Sequence, residues 1–462
     1  MSNSASHHFA LFAVLWAAAL VSHQIDYGDT TASLADAALL GSVVLVAFNP
    51  YSACRLLAAA ASHVIAVVYY LPEAFNHWYF AGIQSLAYAV IAATVFVRHR
   101  RLELDQVFPP FSAVARLNLL CLYYISAFHK LNSGYLSLEA SCGGYMYGKV
   151  LKSLPFLPAS GAVNIAAAYL GIAIEFALPT LLLMRRSRRL AVTLGLIFHL
   201  CLGLVGYRRF SMIAYALLAL FLTEVPALQP IMDRLRKRQW PILLAVLFVG
   251  IILWISPGHV RAVRVKLGIL AGQMTPYLFL AATVLLLLVS TVALYRYRFA
   301  KAPPIPILPG EKTGLLSTAL LILCGLSPYL GLQTLNTFAM YSNLRTEGGL
   351  SNHFLMPAGL QLFSYQRDLV QVEETNIQSL HRQGAVGTGG LLIPYQQLRV
   401  EVTREMRAGR KDIRLAFRRQ GRLISTTHAE QEPELGVPVD AIAYKFLTFR
   451  AVEKSGGRGC SY

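Results

Sequence analysis

Long apolar runs return so often along the first three quarters of this chain that they settle its fold class before any motif is read. Stretches near 8–22, 33–48, 54–71, 78–97, 111–128, 161–184, 189–206, 209–223, 240–255, 275–295 and 315–333 are dominated by aliphatic and aromatic residues. About 20 such residues in a helix cross the roughly 30 Å hydrocarbon core of a bilayer, and a helix satisfies its own backbone hydrogen bonds there. Several runs are shorter, so one or two are expected to be re-entrant or interfacial, and the expected count is about nine to eleven. With 56% hydrophobic and only 14% charged residues among 462, the chain is far oilier than a soluble domain. The expected architecture is mainly α, a polytopic membrane helix bundle over residues 1–333. The opening MSNSASHH lacks the basic stretch of a cleaved signal peptide, so the first run is expected to be an uncleaved anchor.

Past residue 334 the long apolar runs stop. DLVQVEET, QLRVEVTREM, DIRLAFRRQ and RLISTT read as strands of a meander, separated by the turn-like AVGTGG and RAGRKD. Residues 334–462 are therefore expected to form a small β-rich extracytoplasmic domain, with AIAYKFLTFRAVEK as a last strand or helix and SGGRGCSY as a frayed tail. KAPPIPILPGEKTG reads as a proline-rich linker. GEKTG and GAVGTGG lack the spacing of phosphate-binding loops and read as turns.

Forty-one Lys and Arg against 23 Asp and Glu give a net charge of +18. The basic residues cluster at 98–101, 185–189, 234–238 and 296–301. These clusters fall in alternate loops, as the positive-inside rule requires, so the excess reads as a topology signal and no nucleic-acid partner is expected. It places the N-terminus in the cytoplasm and the C-terminal domain outside, across the cytoplasmic membrane if the cell is bacterial. Arg208, Arg209, Arg261, Arg264 and Lys266 fall against the pattern. None of the six cysteines has CxxC spacing. Cys142 and Cys460 share the expected outer side, where a disulfide and two free thiols are equally open readings.

Polar groups within apolar segments are costly and become candidate functional residues. Here they are His63, Asn76, His77, Lys130, Asn132, Glu175 and His199. The sequence has no HExxH and these histidines lie on different segments, so no metal is expected. Lys130 carries two readings. It snorkels to the headgroups, or it sits in an apolar cavity where an amine gives up its charge more readily and serves as a general base. Glu175, four residues before Pro179, needs a partner, and Lys130 can supply it. His129 points about 100° away from Lys130 on a helix. His199 is read equally as a satisfied core histidine or a ligand-binding one, and Asn76, His77 and Trp78 as an interfacial aromatic belt with a polar cap.

In order and approximate spacing, NHWYF (76–80), YYISAFHKLNSGYL (123–136), IEFALPTLLLM (174–184) and FHLCLGLVGYRRFSMIAYALLAL (198–220) resemble one known transmembrane core. It is the core shared by vitamin K-dependent gamma-glutamyl carboxylases and their bacterial relatives, the horizontally transferred transmembrane (HTTM) domain proteins. The resemblance covers about residues 5–300, and TFAMYSNLRTEGGLSNHFLMP (337–357) is similar to the segment just after the last helix in bacterial members. It implies that Lys130 is the base that deprotonates a lipid quinol, reduced vitamin K or another menaquinol-type molecule, with His77 supporting the oxyanion. O2 and CO2 are the implied co-substrates, and a secreted peptide or a lipid is the group modified. Asn76, Tyr124, His129, Asn132, Glu175 and His199 are then expected to shape the quinol pocket. Arg345, Glu347, Asn352 and His353 are expected either at its entrance or in a solvated loop. The chain departs from the carboxylases in carrying Asn132 where they have an aspartate-type residue, and in the shortness of its outer region. The competing expectation is a non-catalytic membrane partner for export or maturation of a secreted peptide. A transporter would show repeated broken helices, and no internal repeat stands out.

Overall fold

A computed structural model describes residues 3–26, 33–137, 141–153, 155–222, 260–297, 302, 304–310, 312–387, 390–454 and 460. The described chain is mainly helical, and eight helical stretches are long and apolar enough to cross a membrane. The apolar runs become α1 (Asn3–Asp26), α2 (Leu34–Phe48), α3 (Ala53–Tyr70), α4 (Asn76–His99) and α5 (Leu104–His129). They continue as α7 (Gly161–Leu183), α8 (Arg188–Leu202), α9 (Arg208–Ala219), α10 (Val260–Arg296) and α11 (Leu315–Leu330), while the short α6 (Cys142–Ser153) comes between α5 and α7.

Three expected segments differ from full spans. With 15 residues, α2 extends about 22 Å at 1.5 Å per residue, short of the hydrocarbon thickness. The runs at 189–206 and 209–223 form α8 and α9, joined by a π-turn at Gly203–Tyr207 in which Gly206 takes φ +105°. Only glycine holds that backbone without strain. The turn folds the chain back on itself, so the Tyr215 hydroxyl donates to the Leu196 carbonyl. The run at 240–255 lies outside the described residues.

The chain divides into two compact units. One comprises residues 1–69, 77–123 and 176–321. Its helices are tied by buried side chain to backbone bonds: His8 Nε2 lies 2.8 Å from the Ala219 carbonyl, and Arg116 donates to the Leu220 carbonyl at 2.9 Å.

The other unit comprises residues 70–76, 124–175 and 322–462. It contains an antiparallel sheet of β1 (Leu369–Thr375), β2 (Ile393–Pro394), β3 (Leu415–Arg419) and β4 (Arg422–Thr426) in the order β2-β1-β3-β4. Three expected strands are thus present, but QLRVEVTREM is not one of them. It belongs to a helix, Tyr395–Arg407. The local alternation LRVEV mimics a strand, and the deciding residue is Glu401, whose carboxylate is buried. It accepts from Gln397 at 2.7 Å and Arg404 at 2.6 Å, the i,i+4 and i,i+3 neighbours that meet only on a helix, and from Ser379 and Gln383. Leu398 and Val402 from the same helix close over Val370, Val372 and Phe417 of the sheet. Each such buried side chain contributes about 1.5–3 kcal/mol. The stretch AIAYKF is a helix, Ala441–Phe446, capped by the Asp440 carboxylate. Cys142 and Cys460 are joined in a disulfide that spans 318 residues of sequence.

Candidate functional site

Helix α5 ends at His129, and Lys130 opens the next turn. Its ammonium has three hydrogens to place. Nζ donates to Glu175 Oε2 on α7 at 2.7 Å, to Ser126 Oγ one turn back at 2.8 Å, and more weakly to the Ser126 carbonyl at 3.4 Å. The Ser126 hydroxyl also reaches Glu175 Oε2 at 3.4 Å. Both charged side chains are enclosed, with 7% of Lys130 and 14% of Glu175 exposed. The amine therefore does not snorkel. Pro179 has no N–H to give the Glu175 carbonyl, so that carbonyl lacks its usual helical donor while α7 runs on through the turn that carries the acid.

Tyr135 covers the pair. Its ring centroid lies 5.9 Å from Nζ, and burial together with the Glu175 carboxylate pushes its phenol above the ordinary tyrosine range. Gly143 on α6 and Gly171 on α7 leave the room its hydroxyl occupies, since a Cβ at either would stand 3.0–3.1 Å from that oxygen.

His129 faces elsewhere, as helical geometry dictates. Its Nε2 donates to the Thr337 carbonyl at 3.0 Å and its Nδ1 meets the Tyr329 hydroxyl at 2.8 Å. Asn132 is wholly buried and fully used. Its amide donates to the carbonyls of His129 and Ser342, and its oxygen accepts from the Tyr135 N–H and the Asn352 amide. Two donors and two acceptor positions are all an asparagine has. Asn132 therefore fixes the turn after Lys130, and its hydrogen-bonding capacity is spent on the chain itself.

The four residues expected at an entrance stand in that same framework. His353 Nε2 lies 2.8 Å from the Phe128 carbonyl, and burial holds its imidazole below the ordinary histidine value. Asn352 accepts the Arg345 N–H at 2.8 Å. Glu347 is fully enclosed and pairs with Arg450 at 2.9 Å, while its second oxygen accepts the Thr346 N–H. Three of the four act as struts of the loop over α5, and Glu347 belongs to a buried ion pair. Asn76 accepts the Phe338 N–H at 2.9 Å, and Tyr124, in the same unit, is half-buried.

The remaining candidates lie in the other unit. His77 is 5.1 Å from the His23 ring, which stacks on Trp78 at 3.7 Å, and His63 lies 4.1 Å from that indole with its Nδ1 at 2.8 Å from Ser85 Oγ. His199 Nε2 meets the Tyr123 hydroxyl at 2.6 Å inside a cage of Phe198, Phe210 and Tyr215. Among the described residues, no three His, Cys, Asp or Glu side chains gather as a metal site.

No family model matches the chain, and no curated protein or solved structure matches it either. The chemistry must be argued from the groups present. Sequence reasoning placed Lys130 with Glu175 but missed Ser126, Tyr135 and Tyr329. Ser126 was findable, because it lies four residues before Lys130 on the same helical face. His23 carried no signal beyond being a polar residue at the end of an apolar run.

Proposed function

We propose that the chain is a multi-pass integral membrane protein of the HTTM type and that the Lys130–Glu175 pair is its proton-transfer centre, acting on a lipid-soluble quinol. The observation that carries the reading is an amine and a carboxylate 2.7 Å apart, both enclosed, the amine directly after one helix of membrane-spanning length and the carboxylate on another. A buried pair of this kind gives little net stability, which favours retention for chemistry. Passing one proton from Lys130 to Glu175 leaves a neutral amine and a neutral acid without changing the total charge. The amine then takes the phenolic proton of a quinol. Addition of O2 to the resulting anion gives the quinone epoxide and hydroxide, which leaves as water by taking a proton back from the protonated amine, as the resemblance to vitamin K-dependent carboxylases implies. By the resemblance alone, His77 is implied as an oxyanion support. Coupling to carboxylation of a secreted peptide by CO2 belongs to the same proposal.

We place the N-terminus in the cytoplasm and residues 334–462 outside, as the charge pattern implies. The Cys142–Cys460 disulfide supports that placement, because such bonds persist in oxidising compartments.

A second reading has its own support. All three hydrogens of the Lys130 ammonium find acceptors within the chain, as a structural ion pair in a non-catalytic export or maturation partner would require.

The test uses the full-length chain in nanodiscs with reduced menaquinone and oxygen, with the epoxide read by mass spectrometry. Turnover in the wild type that is lost in Lys130→Ala supports the quinol reading. Equal background in both discards it in favour of the partner.

A further inference from the structure

After α11 the chain crosses a stretch that behaves unlike a solvated loop. From Leu350 to Gln366 it carries no Asp, Glu, Lys or Arg. Phe354, Leu355, Leu360, Leu362 and Phe363 are nevertheless 41–77% exposed. Several large exposed apolar side chains in one uncharged loop mark an interaction site.

Its level is fixed at both ends by helix termini. The Phe354 N–H donates to the Leu131 carbonyl at 3.0 Å, and His353 Nε2 lies 2.8 Å from the Phe128 carbonyl, both at the end of α5. At the far end, the Phe363 N–H donates to the Leu330 carbonyl at 3.0 Å, and the Gln366 amide to the Pro328 carbonyl at 2.8 Å, both at the end of α11. The last carbonyls of a helix have no partner within it, and the loop supplies partners for these. It therefore lies level with the ends of two helical stretches of spanning length, Leu104–His129 and Lys312–Leu330, where hydrocarbon gives way to headgroups. The short helix α6 has the matching composition. It presents Tyr145 beside Lys149, and Phe156 beyond it is 79% exposed. Aromatic and basic residues together are what the membrane boundary selects.

We infer that residues 350–365 form a lip seated in the bilayer boundary at the ends of α5 and α11, its occupant being lipid and not a protein partner. The inference rests on the membrane reading proposed above. Because the lip is bonded to the turn that carries Lys130, that turn is held at the depth of the lipid carbonyls.

The test places single tryptophans in the full-length protein in nanodiscs and reads each as the difference from wild type. Leu362→Trp probes the lip, Leu323→Trp the outward face of α11, and Leu423→Trp the exposed strand β4. Quenchers are phosphatidylcholine brominated in its acyl chains and aqueous iodide. The lip tryptophan is expected to lose most of its added emission to bromolipid and little to iodide, with the β4 tryptophan showing the reverse. Quenching of Leu362→Trp by iodide and not by bromolipid, while Leu323→Trp is quenched by bromolipid, overturns the lip and leaves the membrane reading standing. If Leu323→Trp also escapes bromolipid, both fall. Leu355→Trp repeats the measurement should the first lip variant fail to fold.

Discussion

Two enclosed ion pairs lie in the same unit of this molecule, and they are built differently. Glu347 and Arg450 lock a loop. The acid accepts a backbone N–H as well as the guanidinium, and the arginine also donates to the Leu344 carbonyl, so each charge is held by fixed backbone partners. Lys130 and Glu175 are joined through side chains, with Ser126 as the third member and a tyrosine ring above. Arginine keeps its proton under all physiological conditions, whereas lysine can release it. The difference teaches that burial alone does not mark a reactive centre. On the proposed reading, what sets the Lys130 pair apart is that its lysine, its acid and Ser126 meet chiefly through side chains.

The sharpest break in that comparison is a Lys130→Arg exchange. It retains the charge and is expected to leave thermal unfolding close to wild type while lowering quinol turnover by about 10²–10⁴-fold, the contribution of a general base. Comparable turnover in the variant would reduce the pair to the same class as Glu347–Arg450.

Removing one partner of the locking pair acts on stability instead. Arg450→Ala leaves Glu347 enclosed without its cation and is expected to cost about 3–5 kcal/mol, read from denaturant unfolding of the detergent-solubilised protein. The double change Glu347→Leu with Arg450→Met is expected to recover most of that loss, since apolar replacements of similar size are often neutral at such sites. A smaller effect is expected at Asn132→Ala, which strips four hydrogen bonds from the turn. A loss of about 1–3 kcal/mol should result, from the buried carbonyls of His129 and Ser342 left unpaired.

The smallest effect concerns pH. Burial, then the hydrogen bond and charge of Glu434, push the Tyr395 phenol up to about 12. A group whose folded value is raised supplies stability that is present below its unfolded value, about 10, and is lost as pH climbs through the folded one. Wild-type protein should therefore lose stability between about pH 10 and 12, and Tyr395→Phe should lose less of it over the same range. A parallel decline in both proteins would assign the alkaline loss elsewhere.

How much could be read in advance depends on how local each determinant is. Apolar runs of spanning length are properties of consecutive residues, and so are the alternating strands at 369–375, 415–419 and 422–426. Lys130 and Glu175 were matched because each is costly in apolar surroundings without an opposite charge. The helix at 395–407 was hidden because its deciding residue, Glu401, draws donors from Ser379 and Gln383 as well as from its own turn. Glu347 passed for a rim residue because its cation stands 103 positions later in the chain. Asn132 passed for a ligand contact because nothing near it in sequence announces Ser342 or Asn352.

The bond between Cys142 and Cys460 has a consequence for biogenesis. Its first thiol emerges right after α5, and its second waits for every later helix to be laid down. On the proposed topology, oxidation of this pair is a checkpoint on assembly: a chain arrested partway through insertion keeps Cys142 open to alkylation, and only the finished molecule is sealed.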